Sequence, residues 1–290
     1  MTTLHPIEEH ELKTLAGKTI IVTGGASGIG RATVLLAHAA GANIAVADLN
    51  ESDGKRLETE LKERILFVQT DVTVWESVIA LFEATVQCFG GVDSVFANAG
   101  GAFPDGFLDD EVDEGGKLRA PSMKSIEVNL YGAVYTSKAA IHYFGKESYK
   151  QHQLVLTGSA ASFLDTPPLF LYGASKAGVL GLMRGLRSTT RAKNITVNMI
   201  APWMTVTAQV PDWLKKVWGD LPANDPEGVA RALVIPLLRP ELNGRTIWVA
   251  GNKAIELEQR LDTIRPQWMG EELSASIQEG QERMGAGDSF

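Results

Sequence analysis

The sequence predicts a doubly wound α/β domain: a seven-stranded parallel sheet with helices on both faces. Three observations predict it. Short β-branched runs recur along the chain and are nearly continuous in apolar residues, as parallel strands covered on both faces are. Longer segments with apolar residues at helical spacing separate these runs. The first run ends in TGGASGIG, Thr23 to Gly30, four glycines in eight residues directly before a helix-prone run. Strands and helices alternating in this way form a parallel sheet through right-handed crossovers.

The strand-like runs are Thr19 to Val22, Asn43 to Ala47, Ile65 to Thr70, Val92 to Ala97, Leu154 to Thr157, Thr196 to Ile200 and Thr246 to Val249. Helical spacing shows in Ala32, Val34, Leu35, Leu36 and Ala39, and again in Val78, Ile79, Leu81, Phe82 and Val86. No linker or internal repeat divides the chain. One Rossmann-type domain is therefore expected over 16–251, with an N-terminal extension, 1–15, and a C-terminal one, 252–290. The tail carries Leu273, Ile277 and Met284 at helical spacing, an amphipathic pattern. Two further segments lie outside the alternation. Residues 102–121 form an acidic loop with six carboxylates, read as a solvated surface loop. Residues 203–222 are apolar and rich in tryptophan.

Composition excludes several function classes. The chain has 290 residues, 44% hydrophobic, enough for one large core. Its net charge is −8 and no basic block exceeds Lys215-Lys216, so nucleic acid is not an expected partner. The single cysteine, Cys88, sits in a helical run and reads as a small apolar residue. It permits no intramolecular disulfide, which suits a reducing compartment. No secretory h-region or membrane-length apolar run is present, so a cytoplasmic protein is expected. The five histidines, His5, His10, His38, His142 and His152, lack metal-ligand spacing, and no metal is expected.

A strand–turn–helix at the start of a parallel sheet points helix N–H groups and a positive dipole end at whatever binds there, and a phosphate suits both. Gly24 allows the tight turn, Gly28 lets the backbone approach a pyrophosphate, and Gly30 lets the helix pack closely. Asp48, at the end of the second strand, can accept bonds from both adenosine ribose hydroxyls and would repel a 2′-phosphate. NAD is thus favoured over NADP. Asp48 also suits a helix N-cap, but Asn50 and Ser52 are better placed for that role.

Tyr172 and Lys176, in LYGASKAGVLGL, stand four apart on one helix face. An ammonium beside a phenol stabilises the phenolate, so the pair can move a hydroxyl proton while a cofactor handles the hydride. Ser159, in LVLTGSAAS, ends a strand thirteen residues before Tyr172 and can hold a substrate oxygen. Asn129, in SIEVNLYGAV, is a mid-helix polar residue that needs a partner; an ordered water or a structural role would each supply one.

In order and spacing, TGGASGIG, ANAG at Ala97 to Gly100, VNLYG around Asn129, GS at Ser159 and Tyr172-x₃-Lys176 resemble the short-chain dehydrogenase/reductase family, from about Ala16 to about Gly251. The long tail resembles that of fungal members of secondary metabolism. The resemblance implies Tyr172 as acid/base and Lys176 as its tuner and nicotinamide-ribose ligand. It implies Ser159 as substrate-oxygen anchor and Asn129 as holder of a relay water. Asp71, with Val72, would meet the adenine edge, and Asn98, Ala99 and Gly100 would wall the cofactor. Ser27 and Ile29 in the glycine turn, and Pro202, Thr205 and Thr207 after the sixth strand, complete the implied cofactor set. One departure stands out: Trp203 occupies the place of a family glycine in APWMTVTAQV.

Trp203, Trp213 and Trp218 put half of the six tryptophans in one stretch, where the family covers its substrate. Trp203 and Trp213 are therefore candidate contacts to a bulky lipophilic alcohol or ketone, though packing inward or at a subunit interface would place them equally well. The resemblance also implies a homodimer or homotetramer, paired through the helices of Asn129 and Tyr172. The expected activity is hydride transfer between NAD(H) and a secondary alcohol or ketone. An oxidation-coupled isomerase on the same residues, or a non-catalytic NAD(H) sensor, are the alternatives.

Overall fold

The computed structural model of the chain describes residues 4–147, 149–208, 210 and 212–286, with Trp213 described by its backbone. Strands β1 (Thr19–Thr23), β2 (Asn43–Asp48), β3 (Ile65–Gln69), β4 (Ser94–Ala97), β5 (His152–Thr157), β6 (Ile195–Pro202), β7 (Thr246–Ala250) and β8 (Lys253–Glu256) form one sheet in the order 3-2-1-4-5-6-7-8. The first seven pair in parallel; Ile21, for example, sits between Ala45 and Val95. These are the seven expected strands, within a few residues at each end.

The sheet has eight strands rather than seven. β8 returns antiparallel to β7, with Ala250 opposite Lys253 across Gly251 and Asn252. Both turn residues are left-handed, with φ of 55° and 58°. That is the backbone a two-residue hairpin requires, and glycine and asparagine adopt it most readily.

The helices are α1 (Glu9–Leu12), α2 (Gly28–Ala39), α3 (Glu51–Leu61), α4 (Trp75–Phe89), α5 (Lys124–Ile126), α6 (Gly132–Phe144), α7 (Phe170–Arg191), α8 (Asp212–Trp218), α9 (Pro226–Leu238), α10 (Glu258–Thr263), α11 (Arg265–Met269) and α12 (Glu271–Arg283). A single π-helical turn, Glu127–Tyr131, joins α5 to α6. Two apolar cores flank the sheet. One gathers Phe82, Phe144, Leu154 and Met183 beneath α4, α6 and α7. The other gathers Val34, Leu57, Val229 and Leu233 beneath α2, α3 and α9. The N-terminal extension joins this second core through Leu12 and Leu15, and Glu11 pairs with Arg239 at 3.1 Å. The described part of the extension thus packs against the second core.

The C-terminal segment is anchored at its start. Glu258 is 3% exposed and accepts from Arg184 and Arg187 of α7 at 2.9 Å. Beyond it, Leu273, Ile277 and Met284 do fall on or beside a helix, α12, but are exposed. Cys88 lies in α4 as expected, though on an exposed face. No helix among the described residues is long and apolar enough to cross a membrane. β1 and β4 are neighbours whose connections leave in opposite directions, which opens a crevice at the strands' carboxyl ends.

Candidate active site

The glycine turn lies at that crevice. Gly24 has φ 66°, and a Cβ there would stand 2.8 Å from the Cα of Ala99. A Cβ on Gly30 would collide with the carbonyl oxygen of Gly24, so helix and turn touch because Gly30 lacks a side chain, while bare Gly24 lets the turn approach the loop after β4. Ser27, the N-cap of α2, makes no side-chain cap bond, and the first-turn N–H groups lack that partner. Ile29 packs towards the second core, which leaves its backbone to face the crevice. A Cβ on Gly28 would meet Thr207 Cγ2 at 3.5 Å, so the segment after β6 reaches back to the turn.

Asp48 closes the turn from the side. Its carboxylate accepts from the N–H groups of Ala26 and Asn50, each at 3.0 Å. Asn50 does cap α3, accepting from Asp53 N–H at 3.1 Å, and its amide donates to the Asp53 carboxylate. Asp71 stands at the adjacent strand end, where its Oδ1 accepts from the backbone and hydroxyl of Thr73. Val72 is buried, and Gly132 of α6 is glycine because a Cβ there would press on it at 2.7 Å. Only the Val72 backbone remains for a cofactor.

A continuous polar chain crosses the carboxyl ends of β1, β4 and β5. Thr23 Oγ1 accepts from the N–H groups of Asn98 and Ala99, at 2.9 and 3.0 Å. Asn98 donates its amide to Thr23 O at 3.0 Å and accepts the Thr157 hydroxyl at 3.1 Å. Thr157 O in turn accepts from Lys176 Nζ at 2.9 Å. Lys176 is 4% exposed, and burial lowers its pKa from 10.5 to about 8. An ammonium carries three donors; the Thr157 contact uses one. A Cβ on Gly100 would come within 3.3 Å of Nζ and 2.7 Å of Asn129 Oδ1, so the glycine keeps this corner open.

Tyr172 and Ser159 complete the corner. Lys176 Nζ lies 5.8 Å from the Tyr172 ring centroid. Burial pushes the phenol above its usual pKa, and the hydrogen bond with Ser159 pulls the other way. Desolvation of the phenolate outweighs that bond, so the chain itself holds Tyr172 as the neutral phenol. Ser159 Oγ accepts from Ala161 N–H at 3.1 Å, which leaves its own proton to donate. Ser162 braces the turn by donating to Lys176 O at 2.8 Å.

Asn129 sits in the π-helical turn, 1% exposed. Its Oδ1 accepts from Gly101 N–H at 2.8 Å, and its Nδ2 donates to Gly101 O and to Ser175 Oγ at 3.0 and 2.9 Å. The side chain ties the loop after β4 to α7.

The tryptophan segment packs on itself. Trp203 stacks on Trp248 of β7 with centroids 6.4 Å apart, and meets Trp218 of α8 at 5.4 Å and 60°. Phe163, four residues past Ser159, extends the cluster onto Trp248. The half-buried Trp203 ring thus packs on tryptophans of β7 and α8. The side chain of Trp213 lies outside the described residues. Pro202 is buried at the end of β6. Thr205 Oγ1 donates to Trp203 O at 3.0 Å and accepts from Asn224. Among the described residues no cluster of three or more potential metal ligands occurs.

A family model described as short chain dehydrogenase matches residues 18–217. The chain is 33% identical to the short-chain dehydrogenase/reductase prx4 of Penicillium roqueforti, covering 93% of this chain and 85% of that protein. It is 31% identical to 5'-hydroxyaverantin dehydrogenase of Dothistroma septosporum, covering 91% and 93%. Its fold is similar to that of 3-ketoacyl-(acyl-carrier-protein) reductase from Brucella melitensis, solved with NADH, with a TM-score of 0.72 at 23% identity over 82% of this chain and 98% of that one.

Proposed function

The chain belongs to the short-chain dehydrogenase/reductase family, and from that premise we propose that it is an NAD-dependent oxidoreductase interconverting a lipophilic secondary alcohol and its ketone. The observation that carries this reading is the corner where Tyr172, Ser159 and Lys176 converge, with Nζ fixed 2.9 Å from Thr157 O. The relatives include dehydrogenases of fungal secondary metabolism. A binding module has no need of a half-buried phenol, a hydroxyl donor and a buried cation together.

The residues fit a dinucleotide. α2 lacks a side-chain cap where a pyrophosphate would sit, and Asp48 offers a carboxylate at the end of β2. Lys176 retains donors for a ribose. Bound there, NAD(H) would accept or supply the hydride. Ser159 then donates to the substrate oxygen and holds it beside the phenol. Tyr172 gives its proton to that oxygen during reduction and recovers it during oxidation. The Lys176 charge stabilises the phenolate so formed. Asn129 holds Gly101 and Ser175 in place, and a relay water near it would return the proton to solvent.

A bulky apolar substrate is supported by the large side chains left exposed in the segments beside this corner: Phe107, Leu164, Phe170 and Val206. A homo-oligomer in the cytoplasm completes the reading. Binding of NADH and NADPH, read by energy transfer from tryptophan to the reduced nicotinamide, tests the cofactor half. Reduction of 1-tetralone, a bulky aryl ketone, tests the chemistry. No binding of either nucleotide would sink both halves.

A further inference from the structure

The acidic segment 102–121 was expected to be hydrated throughout, yet one of its carboxylates is hidden. Asp105 is 5% exposed, whereas Asp109, Asp110, Glu111, Asp113 and Glu114 all face water. Its Oδ2 accepts from Leu171 N–H at 2.8 Å, and its Oδ1 accepts from Phe107 N–H at 3.1 Å. Its carbonyl accepts from Ser122 N–H at 2.8 Å, closing the loop at its base.

Leu171 belongs to the first turn of α7, where N–H groups have no partner inside the helix. The N-cap of α7 is Leu169, whose side chain has no oxygen to offer. Asp105 supplies the missing acceptor from 66 residues away, and its charge meets the positive end of the helix.

Tyr172 is the next residue. Its own carbonyl accepts from Ser175 Oγ at 2.7 Å, and Ser175 Oγ accepts from Asn129. The backbone on the two sides of Tyr172 is therefore held by Asp105 and, through Ser175, by Asn129. Both come from the stretch between β4 and α6. The same loop lays Phe107 on Phe170, with centroids 5.9 Å apart.

We propose that Asp105 is a positioning residue for Tyr172: by capping α7 across the site it fixes the turn that aims the phenol at the substrate oxygen. This rests on the reading of Tyr172 as the acid/base. Displacing a reacting group by a fraction of an ångström is enough to slow the step it performs.

The test compares Asp105→Ala with Asp105→Asn in the full chain. It reads amide exchange across 170–173, NADH affinity, and kcat and KM for 1-tetralone. With Asp105→Ala, exchange at Leu171 is expected to rise and kcat to fall by roughly tenfold or more, with NADH affinity unchanged. Asp105→Asn keeps an oxygen that accepts from Leu171 N–H, and it should recover most of the lost kcat. A purely structural role would lower the melting temperature of Asp105→Ala and leave kcat intact, which overturns the proposal. So does an Asp105→Asn variant as slow as Asp105→Ala, or unchanged Leu171 exchange in Asp105→Ala. Failure of the dehydrogenase reading is separate: the wild type would then show no NADH-dependent turnover, while Leu171 exchange in Asp105→Ala would still decide the cap.

Discussion

Lys176 places its ammonium 2.9 Å from the carbonyl oxygen of Thr157, on a side chain 4% exposed. One neutral acceptor does not repay the loss of water around a charge. The site therefore carries an electrostatic cost that the fold must offset elsewhere.

That cost has a measurable pH signature. Burial lowers the Lys176 pKa from 10.5 to about 8. Between those values the unfolded chain binds more protons than the native one, so stability rises with pH across that window. Below about 8 the penalty is present in full, about 3 kcal/mol at about 1.4 kcal/mol per pKa unit. Lys176→Met removes the charge and orphans the Thr157 carbonyl, at a cost of about 1 kcal/mol. The variant should melt a few degrees above the wild type at pH 7, with the gap closing by pH 10. A variant less stable than the wild type at pH 7 would refute the account.

Tyr172→Phe keeps the ring in its pocket and removes the proton. Ketone reduction should fall about 10³-fold, within the range for a lost general acid, with NADH binding unaltered. Ser159→Ala should cost less, since Tyr172 still donates. In the wild type, reduction should hold across neutral pH, because burial keeps the phenol protonated, and decline as Lys176 loses its charge above about 8. A rate that climbs steadily from pH 7 to pH 9 would contradict this assignment.

All seven parallel strands were legible because each carries a β-branched or apolar run, unbroken where the strand is buried on both faces and still apolar in the half-buried edge strand β3. β8 was not, since Lys253-Ala254-Ile255-Glu256 is short and mixed. Its real signal was the Gly251-Asn252 pair, a hairpin dipeptide directly after a strand. The placement of the glycine turn, Asp48, Ser159, Tyr172 and Lys176 was legible because each sits at a strand end or on a helix face fixed by local spacing. Asp105 was not: its partner Leu171 is distant in sequence, and nothing nearby separates it from the other carboxylates of its loop. The packing partners of Trp203 were hidden for a similar reason. Its neighbours Trp248 and Trp218 come from β7 and α8, and adjacency across a sheet is invisible to spacing.

The proposed cofactor choice rests on Asp48. On that reading, Asp48→Ala removes the acceptor for the ribose hydroxyls and the charge that would repel a 2′-phosphate. It also frees the N–H groups of Ala26 and Asn50. NADH affinity should weaken about tenfold, a loss of about 1.4 kcal/mol, and NADPH affinity should improve. Melting should drop modestly with the loosened turn. Equal loss for both nucleotides would mean that Asp48 only braces the turn and has no part in selection.

Trp203 offers the sharpest separation between a packing role and a substrate role. It lies between Trp248 and Trp218, and Trp218 in turn donates its indole N–H to Leu221 O at 3.0 Å. Removing the middle ring takes packing from both outer ones. Deleting a fully buried large aromatic costs about 3–5 kcal/mol, and a half-buried one roughly half of that. Trp203→Gly, which restores the glycine expected from the family pattern, should therefore lower the melting temperature. It should also expose 204–221 to protease, because α8 loses the surface it packs on. On folded protein, kcat/KM for a small ketone such as cyclohexanone should fall as far as for 1-tetralone, since a loosened segment affects both alike. A loss confined to 1-tetralone, at unchanged melting temperature, would instead make Trp203 a wall of the substrate pocket.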